Sequence, residues 1–526
     1  MSSTAQGLPH DILHELFEHL AVVDPVGPLR TATLSCSLGW ITATHVCARW
    51  REVGLGLATL WANVVCAFPS MEIADELLLR ARDCPLNIAV GHLDDEPEYD
   101  TRDTCIYISW GLQHIERADT FRCDMGRWST FRHDHPAAYA ALTSALPHCL
   151  KHLYLVCEDI RRDMPLPLIQ LLSSVLLTAS FRNILPDPSC NLNALRSLAL
   201  DVESVAPLPP ILAALRRLDN LEDLQLTSRS YFATLVFDYE VVQLKRLKVL
   251  HALCNNEQHA ADVLECISAP TVFEISVELD ERLCQEQTLA KAFARYQERS
   301  PRSGSISISE SALEMESDEP DRTRLGLSWS PRAFKTRSNG LDLRYTAILL
   351  ALPVHSDLSR FTRCRLWCPD REIEIEKVDA ALIALRNALS CVRSLTLSNA
   401  TDPTNLRTLF DTSDGDGGEL VPLPFPSLET LCFGGGHGSP YHVAAGTQSS
   451  TRREGPAPSW WIVLQDLLLR RSQRGAPLRC LRLEGKWCEH ESWADEGLSE
   501  DFLTRGLVSE FTDKREYILN YSSCKR

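Results

Sequence analysis

The chain has 526 residues, of which 44% are hydrophobic, so it can form a substantial core and exceeds the size of one typical domain. Its formal net charge of -17 argues against broad binding to nucleic acids or anionic membranes, because such binding requires positive potential. The sequence also lacks an apolar run long enough to cross a membrane as a helix.

The first residues, Met1 to Gln6, lack the basic and apolar regions of a signal peptide. We therefore expect the chain to stay in the cytoplasm or nucleus. In these compartments thiols are kept reduced, so the 19 cysteines are expected to act as small buried hydrophobic residues and not to form disulfides.

The first predicted element is a short amphipathic helix near the N-terminus. Its apolar stripe consists of Ile12, Leu13, Leu16, Phe17 and Leu20. A proline precedes this stripe at the first helical turn, where a missing N–H has no cost, and acidic residues follow it near the positive helix start.

Two more short helices are predicted over the next forty or so residues of sequence. The second apolar stripe contains Trp40, Ile41, Thr44, Val46, Cys47, Trp50 and Val53, and the third element contains Leu57, Leu60 and Trp61. Three helices of this size bury too little surface to be stable alone. They are therefore either a module that needs a binding partner or the first helices of a larger domain.

These elements resemble the F-box family over about residues 8 to 66, in the variant common in mushroom-forming fungi. The family pattern is a Leu-Pro with a hydrophobic helix, then Val-Cys and Trp-Arg, then Leu-Trp; residues 21 to 37 form a longer first loop than in the shortest F-boxes. The resemblance implies docking on a Skp-type adaptor and, through it, on a cullin. The adaptor-binding residues that it implies are Leu8, Pro9, Ile12, Leu13, Leu16, Phe17, Leu20, Val46, Cys47, Trp50 and Trp61.

A recurring Leu-x-x-Leu-x-Leu phrase dominates the rest of the chain and is typical of the strand in a leucine-rich repeat. The phrase, often with substitutions, begins at Leu150, Leu195, Leu221, Leu247, Val272, Val392, Leu428 and Leu478. Four consecutive central residues, at 198, 224, 250 and 275, are separated by 26, 26 and 25 positions. This spacing predicts one strand and one helix per unit, in an irregular α/β solenoid with a parallel sheet. An ordinary doubly wound α/β domain is the alternative.

The predicted domain order is therefore an F-box-like module at 1–66, a connecting segment leading into the repeats at 67–140, and the repeat domain at 141–526. Helices are expected near 165–177, 208–218, 258–267, 283–299, 378–389 and 459–472, with weaker strands around Ile306, Leu325 and Leu366. Composition predicts loop insertions near 299–340, 411–426 and 434–459. The stretch from Leu498 to Ile518 is expected to cap the last repeat with one or two helices.

No local sequence pattern indicates catalysis or a cofactor. The glycine-rich stretch Gly434 to Ser439 lacks the lysine of a phosphate-binding loop, and we interpret it as a surface loop. Cys364 and Cys368 near Asp370, and Cys488 near His490 and Glu491, lack the paired spacing of a zinc site. His10, His14 and His19 are expected on a solvated helix face.

The sequence thus predicts a non-catalytic substrate receptor of an SCF-type (cullin-RING) ubiquitin ligase, with the module on the adaptor and the repeats on a target protein. On this interpretation Leu13→Asp or Phe17→Asp abolishes co-purification of the adaptor. A protein-interaction scaffold outside any ligase is one alternative. An enzyme whose catalytic residues are distant in sequence, near the 434–439 loop, is another.

Overall fold

A computed structural model shows a mixed α/β protein whose main strands are mostly parallel. It describes residues 7–28, 36–68, 70–90, 101–127, 131–133, 136–137, 139–140, 147–158, 166–170, 174–190, 192–202, 208–228, 240–254, 257–269, 274–279, 304–309, 312–317, 324–329, 349–368, 375–398, 403–410, 423–435, 460–488 and 502–518. The chain divides into two compact units. Unit 1 comprises Met1–Lys248 with Cys266–Thr271, and unit 2 comprises Val249–Glu265 with Val272–Arg526.

Unit 1 begins with a helical module. It contains α1 (His10–Val23), a 3-10 helix (Gly39–His45), α2 (Ala48–Gly56) and α3 (Ala58–Ala62). The predicted helices are therefore present, although the second stripe starts in the 3-10 helix. A small aromatic and aliphatic core holds these helices together: Leu13, Phe17, Trp40, Val53, Leu57, Leu60 and Trp61.

Two glycines permit close approaches inside this module. Gly39 has a left-handed φ of 49°, and a Cβ at this position would come within 2.5 Å of the Asp24 carbonyl oxygen. A Cβ at Gly54 would come within 2.7 Å of the Thr44 side chain. Both positions therefore require a residue without a side chain.

The rest of unit 1 is a parallel sheet whose strands follow chain order in space. The strands are β1 (Leu86–Val90), β2 (Ala118–Arg127), β3 (His152–Glu158), β4 (Thr178–Arg182), β5 (Ser197–Val202) and β6 (Asp223–Ser228). The helices are α4 (Met71–Ala81), α5 (Thr101–Gln113) and α6 (Leu208–Leu215). Two-residue parallel pairs join Leu168–Ile169 to Leu185–Pro186 and Val242–Gln243 to Ile267–Ser268.

The leucine phrases occupy equivalent positions in neighbouring strands. Leu153 is in register with Ala179, Ala179 with Leu198, and Leu198 with Leu224. All four side chains are buried, while the residues beside them in each strand are more exposed. The register thus places every predicted phrase of unit 1 on the same buried face, as the alternation of a strand requires.

Strand β4 was not predicted, because its phrase reads Leu176-x-x-Ala179-x-Phe181. Asn183, which follows it, is 1% exposed and has a left-handed φ of 56°. Its side-chain nitrogen donates a hydrogen bond to the Cys157 carbonyl oxygen at 2.9 Å, across to strand β3. Asn183 therefore ties two neighbouring strands together where they end.

We expect Asn183→Ala to destabilise unit 1 by about 2–3 kcal/mol, because it leaves a buried carbonyl without its donor and places a Cβ residue in the left-handed region. Asn183→Gly loses the same hydrogen bond without the left-handed strain, so it should cost about 1 kcal/mol less. Urea unfolding monitored by circular dichroism compares the variants. Equal stability of wild type and Asn183→Ala would contradict this role.

Unit 2 has a longer sheet with one antiparallel strand. Its strands are β7 (Val249–Cys254), β8 (Glu274–Leu279), β9 (Gly304–Ile308), β10 (Ala312–Ser317), β11 (Arg324–Trp329), β12 (Phe361–Trp367), β13 (Ser394–Ser398), β14 (Thr430–Gly435), β15 (Leu478–Cys488) and β16 (Val508–Ile518). The spatial order is β7-β8-β11-β10-β9-β12-β13-β14-β15-β16, and β10 is antiparallel to both neighbours. The helices are α7 (Glu257–Cys266), α8 (Ile375–Ala388), α9 (Pro403–Phe410) and α10 (Trp460–Gln473).

Several sequence predictions differ from these elements. The segment 67–140 holds two helix–strand pairs, α4–β1 and α5–β2, so the sheet begins earlier than the leucine phrases indicate. The expected insertion at 299–340 contains β10 as well as β9 and β11, the strands expected around Ile306 and Leu325; the strand expected around Leu366 is also present, as β12. The expected helix at 165–177 is wrong, because this stretch includes the short strand Leu168–Ile169.

The C-terminal prediction is also wrong in its main part. A short helical turn at 502–504 is followed by the long strand β16, which pairs in parallel with β15 from Leu478 to Cys488. This ladder gives the backbone of β16 hydrogen bonds that an isolated capping helix would have to make internally. The predicted helix at 283–299 and most of the predicted insertions at 411–426 and 434–459 lie outside the described residues.

Candidate binding surfaces

Helix α1 of the module carries apolar side chains on two adjacent stripes. Leu13 and Phe17 are both 0% exposed and point into the module. Ile12, by contrast, is 44% exposed, and Leu16 is half-buried. Ile12 and Leu16, one turn apart, therefore lie on a neighbouring stripe that the module's own core leaves partly uncovered.

The other predicted adaptor residues also include both buried and exposed side chains. Trp61 is buried, its ring 4.8 Å from that of Trp40, and its Nε1 donates a hydrogen bond to the Gly54 carbonyl oxygen at 2.9 Å. Val46 is 55% exposed and Pro9 is exposed. The remaining predicted residues are half-buried at the module surface: Leu8, Leu16, Leu20, Cys47 and Trp50.

The structure also exposes apolar residues that the family pattern does not include. Val22 and Val23, at the end of α1, and Leu38, before the 3-10 helix, are all exposed. The two segments meet where the Trp40 N–H donates to the Asp24 carbonyl oxygen at 2.9 Å. A sequence signal did exist for Val23, because it continues the spacing of Ile12 and Leu16 along the helix.

Specific contacts join the first two helix–strand pairs to each other and the first pair to the module. The Trp110 Nε1 of α5 donates a hydrogen bond to the Asp75 carboxylate of α4 at 2.8 Å. The Arg80 guanidinium lies 4.9 Å from the centre of the Trp61 ring, a cation–π contact between α4 and α3. Burial raises the pKa of the Cys66 thiol to about 12, so this cysteine is an unreactive part of the junction.

The open face of the unit 1 sheet is polar and bonded internally. His152 Nδ1 lies 2.8 Å from the Thr178 hydroxyl, and the Ser197 hydroxyl donates to Asp223 at 3.1 Å. The Arg122 guanidinium lies 5.0 Å from the centre of the Tyr154 ring. His152 and Ser197 are on strands separated by β4, so they do not form a nucleophile–base pair.

The two described cysteines considered for metal binding, Cys364 and Cys368, are buried as structural residues are. Cys364 and Cys368 are buried at 2% and 0% exposure, and burial raises the pKa of the Cys364 thiol to about 12. Among the described residues, no group of histidine, cysteine and acidic side chains is arranged to hold a metal ion. Asp370, His490 and Glu491 lie outside the described residues.

The glycine-rich stretch and the first-helix histidines offer no catalytic arrangement in the described part of the chain. Gly434 and Gly435 end strand β14, and Gly436 to Ser439 lie outside the described residues. His10 and His19 are exposed, and His14 lies 3.5 Å from Glu18 on the same helix. These histidines therefore lie on a solvated face, as the helical spacing predicts.

Within the described ranges, no helix is both long and apolar enough to span a bilayer. The chain matches no protein-family model, and comparison with curated proteins finds no significant relative.

Proposed function

We propose that this chain is the substrate receptor of an SCF-type ubiquitin ligase, acting in the cytoplasm or nucleus. The N-terminal module docks on a Skp-type adaptor and through it on a cullin. The strand-and-helix units that follow form a leucine-rich-repeat-like solenoid and bind a target protein. The ubiquitin transfer itself is carried out by other subunits.

The observation that carries this proposal is the uncovered apolar stripe of α1. Ile12 and Leu16 lie beside a stripe whose members, Leu13 and Phe17, already fill the module core. Burying a large aliphatic side chain contributes roughly 1.5–3 kcal/mol, so a few such residues are enough to form the centre of an interface. A small module that keeps this stripe at its surface is suited to a protein partner.

The module's attachment to the first repeats supports a receptor role. The Arg80–Trp61 contact joins α3 of the module to α4 of the first helix–strand pair, and the Trp110–Asp75 hydrogen bond joins α4 to α5 of the second pair, all within unit 1. A target bound by unit 1 would therefore be held in a fixed position relative to the adaptor. Ubiquitin transfer to the target benefits from such a fixed geometry, since orientation lowers the entropic cost of reaction.

The structure changes which residues should be substituted to test the proposal. Leu13 and Phe17 lie in the core, so replacing either by aspartate would unfold the module and would abolish adaptor binding for that reason alone. Ile12 and Val46 are exposed and can be changed without a loss of core packing.

We expect the full chain to co-purify with a Skp-type adaptor, and we expect Ile12→Asp and Val46→Asp each to weaken binding by at least about tenfold, because a charge would be buried at the interface. Titration of the purified adaptor by calorimetry measures the change. Val354→Asp is the matched control, since Val354 is also exposed but belongs to unit 2.

Absence of adaptor binding by the wild-type chain would contradict the proposal. Capture of other proteins without adaptor or cullin would instead favour the scaffold alternative. If both Ile12→Asp and Val46→Asp bind the adaptor as tightly as the wild type, the adaptor is still a partner. The surface around Ile12 and Val46 is then not where it binds.

A further inference from the structure

Strand β16 is the outermost strand of the unit 2 sheet. It spans 11 residues, as does its neighbour β15, whereas the other strands of unit 2 span five to seven. Among the strands that the structure describes, β16 pairs only with β15. Its outer edge therefore presents backbone N–H and C=O groups that no described strand satisfies, and an edge of this kind accepts a further strand.

The register with β15 distinguishes the two faces of β16. Phe511 is in register with the buried Leu481, so it belongs to the face that covers the core. Side chains alternate along a strand, so Glu510, Thr512 and Lys514 stand on the opposite, open face. Glu510 and Lys514 are exposed and Thr512 is half-buried. The open face of the outermost strand thus carries a negative and a positive charge on either side of a threonine.

Two other charged residues near the middle of β16 are paired with each other on the core-covering face. Asp513, in register with the buried Leu483, accepts hydrogen bonds from the Arg515 backbone N–H at 3.1 Å and from its Nε at 2.9 Å. Burial acts to raise the pKa of Asp513, but the hydrogen bonds and the charge of Arg515 outweigh it and lower that pKa. This pair is therefore satisfied within the strand.

The open face of β15 carries charges that complement those of β16. Glu484 is in register with Lys514. Glu510 is in register with Cys480 and lies near Arg482, whose pKa is raised by a hydrogen bond to the Cys480 thiol and further by the Glu510 carboxylate. Glu510 and Lys514 thus each have an opposite charge on the β15 side. A strand added at the outer edge continues this alternation if it places a cation beside Glu510 and an acid beside Lys514.

A second copy of β16 supplies this arrangement. When two β16 strands run antiparallel about a two-fold axis at Thr512, Glu510 of each copy lies opposite Lys514 of the other. The threonines then lie opposite each other at the centre. In the same register no charged residue of the core-covering face lies opposite a like charge.

The neighbouring registers are less favourable. An axis at Asp513 places Glu510 opposite Glu516 and Asp513 opposite its own copy. An axis at Lys514 places this lysine opposite itself, and an axis at Phe511 pairs neither Glu510 nor Lys514 with an opposite charge. Like charges directly opposite each other destabilise a pair of strands. The charge pattern therefore selects the register that is centred on Thr512.

We propose that the chain forms a two-fold dimer in which the β16 edges of two copies pair antiparallel about Thr512. Backbone hydrogen bonds along the edge hold the two strands together, and two Glu510–Lys514 ion pairs between the copies fix their register. The interface uses residues of unit 2 only, so the inference goes beyond the ligase role and does not depend on it. One dimer would carry two N-terminal modules.

Sedimentation velocity of the full chain over a series of protein concentrations tests the dimer. We expect the wild type to shift from monomer to dimer at or below about 100 µM. Glu510→Lys and Lys514→Glu each place two like-charge pairs in the interface, so each should weaken the dimer by at least about tenfold. The matched controls are Glu376→Lys and Lys377→Glu, which make the same changes at exposed positions of α8 and should dimerise like the wild type.

A mixture of the two edge variants tests the register itself. When Glu510→Lys pairs with Lys514→Glu, both cross-strand pairs again have opposite charges. The mixture should therefore dimerise at concentrations at which each variant alone is monomeric. Thermal unfolding of each variant verifies that the fold is intact.

Three results would overturn the inference. The first is a wild-type chain that stays monomeric up to about 100 µM. The second is a dimer that both edge variants form as readily as the wild type, and the third is a mixture of the edge variants that does not recover dimerisation. Adaptor titration separates this inference from the proposed function, since Glu510→Lys and Lys514→Glu are expected to bind the adaptor as tightly as the wild type. Dimerisation through β16 in a chain that does not bind the adaptor refutes the ligase role and leaves the dimer.

Discussion

Phe17→Ala is expected to unfold the N-terminal helical module. Phe17 is 0% exposed, and its ring centre lies 6.1 Å from that of Trp40 and 6.0 Å from that of Trp50, both edge to face. A Cβ on Gly54 would come within 2.9 Å of the same ring, so the helices have closed tightly around it. Truncating a buried phenylalanine costs about 3–5 kcal/mol, and a module this small has little stability in reserve.

Hydrogen exchange followed by mass spectrometry measures this effect within the full chain. Peptides from residues 10–62 should lose protection in Phe17→Ala, while peptides from strands β3 to β6 keep theirs. Ile12→Ala is the control, because Ile12 is 44% exposed and its truncation leaves no cavity in the core. Wild-type protection of the module in Phe17→Ala would show that Phe17 does not hold the helices together.

The contrast between Ile12 and Phe17 shows what the sequence of α1 can and cannot predict. Helical spacing places Ile12, Leu13, Leu16 and Phe17 on one broad apolar stripe, and this stripe exists. Which edge of it is buried depends on the positions of Trp40 and Trp61, which come from segments distant in sequence. Periodicity along one helix contains no information about those contacts.

The strands of the sheets were likewise predictable only in part. Strands with a clear leucine phrase were predicted together with their buried face, because alternation along a strand is a local property. Strand β4 was missed because Ala179 and Phe181 stand where the phrase has leucine, although Ala179 is in register with Leu153 and Leu198. Equivalent positions can accept different side chains when the neighbouring helices and loops fill the volume differently.

The candidate surfaces were predicted less completely than the strands. The adaptor residues came from a family resemblance, which mixes core positions such as Trp61 with exposed ones such as Val46. The pairing of β12 with β9 and β13 could not be predicted either, because it depends on how the strands are ordered in the sheet. Two intervening strands, β10 and β11, separate β9 from β8 in space, and the sequence gives no sign of that order.

Arg471→Ala is expected to destabilise unit 2 by about 2–4 kcal/mol. Arg471 of α10 is 3% exposed, and its guanidinium donates hydrogen bonds to the carbonyl oxygens of Pro424 at 2.8 Å and of Phe425 and Leu428 at 3.3 Å. Phe425 is buried with a left-handed φ of 46°, and its ring centre lies 5.5 Å from that of Phe410. Without the arginine, buried carbonyls lose their donors and nothing equivalent holds Phe425 in its strained conformation.

The buried charge itself works against this stabilisation. Desolvation lowers the pKa of Arg471, and Nε has no hydrogen-bond partner among the described residues. Arg471→Met separates the two effects, because methionine fills much of the volume without a charge or a donor. If the hydrogen bonds to the 424–428 carbonyls dominate, Arg471→Met is destabilised nearly as much as Arg471→Ala. If the desolvation of the cation dominates, Arg471→Met is as stable as the wild type.

The neighbouring Arg470 is the natural control. It is half-exposed and forms an ion pair with Asp466 one turn earlier at 2.8 Å, which contributes about 0.5 kcal/mol or less. The loss of unfolding free energy on replacement by alanine, measured by urea unfolding, should therefore differ several-fold between these two adjacent arginines. Equal costs would mean that the buried guanidinium is not what orders the turn before β14, and that Phe425 is held by its packing against Phe410 alone.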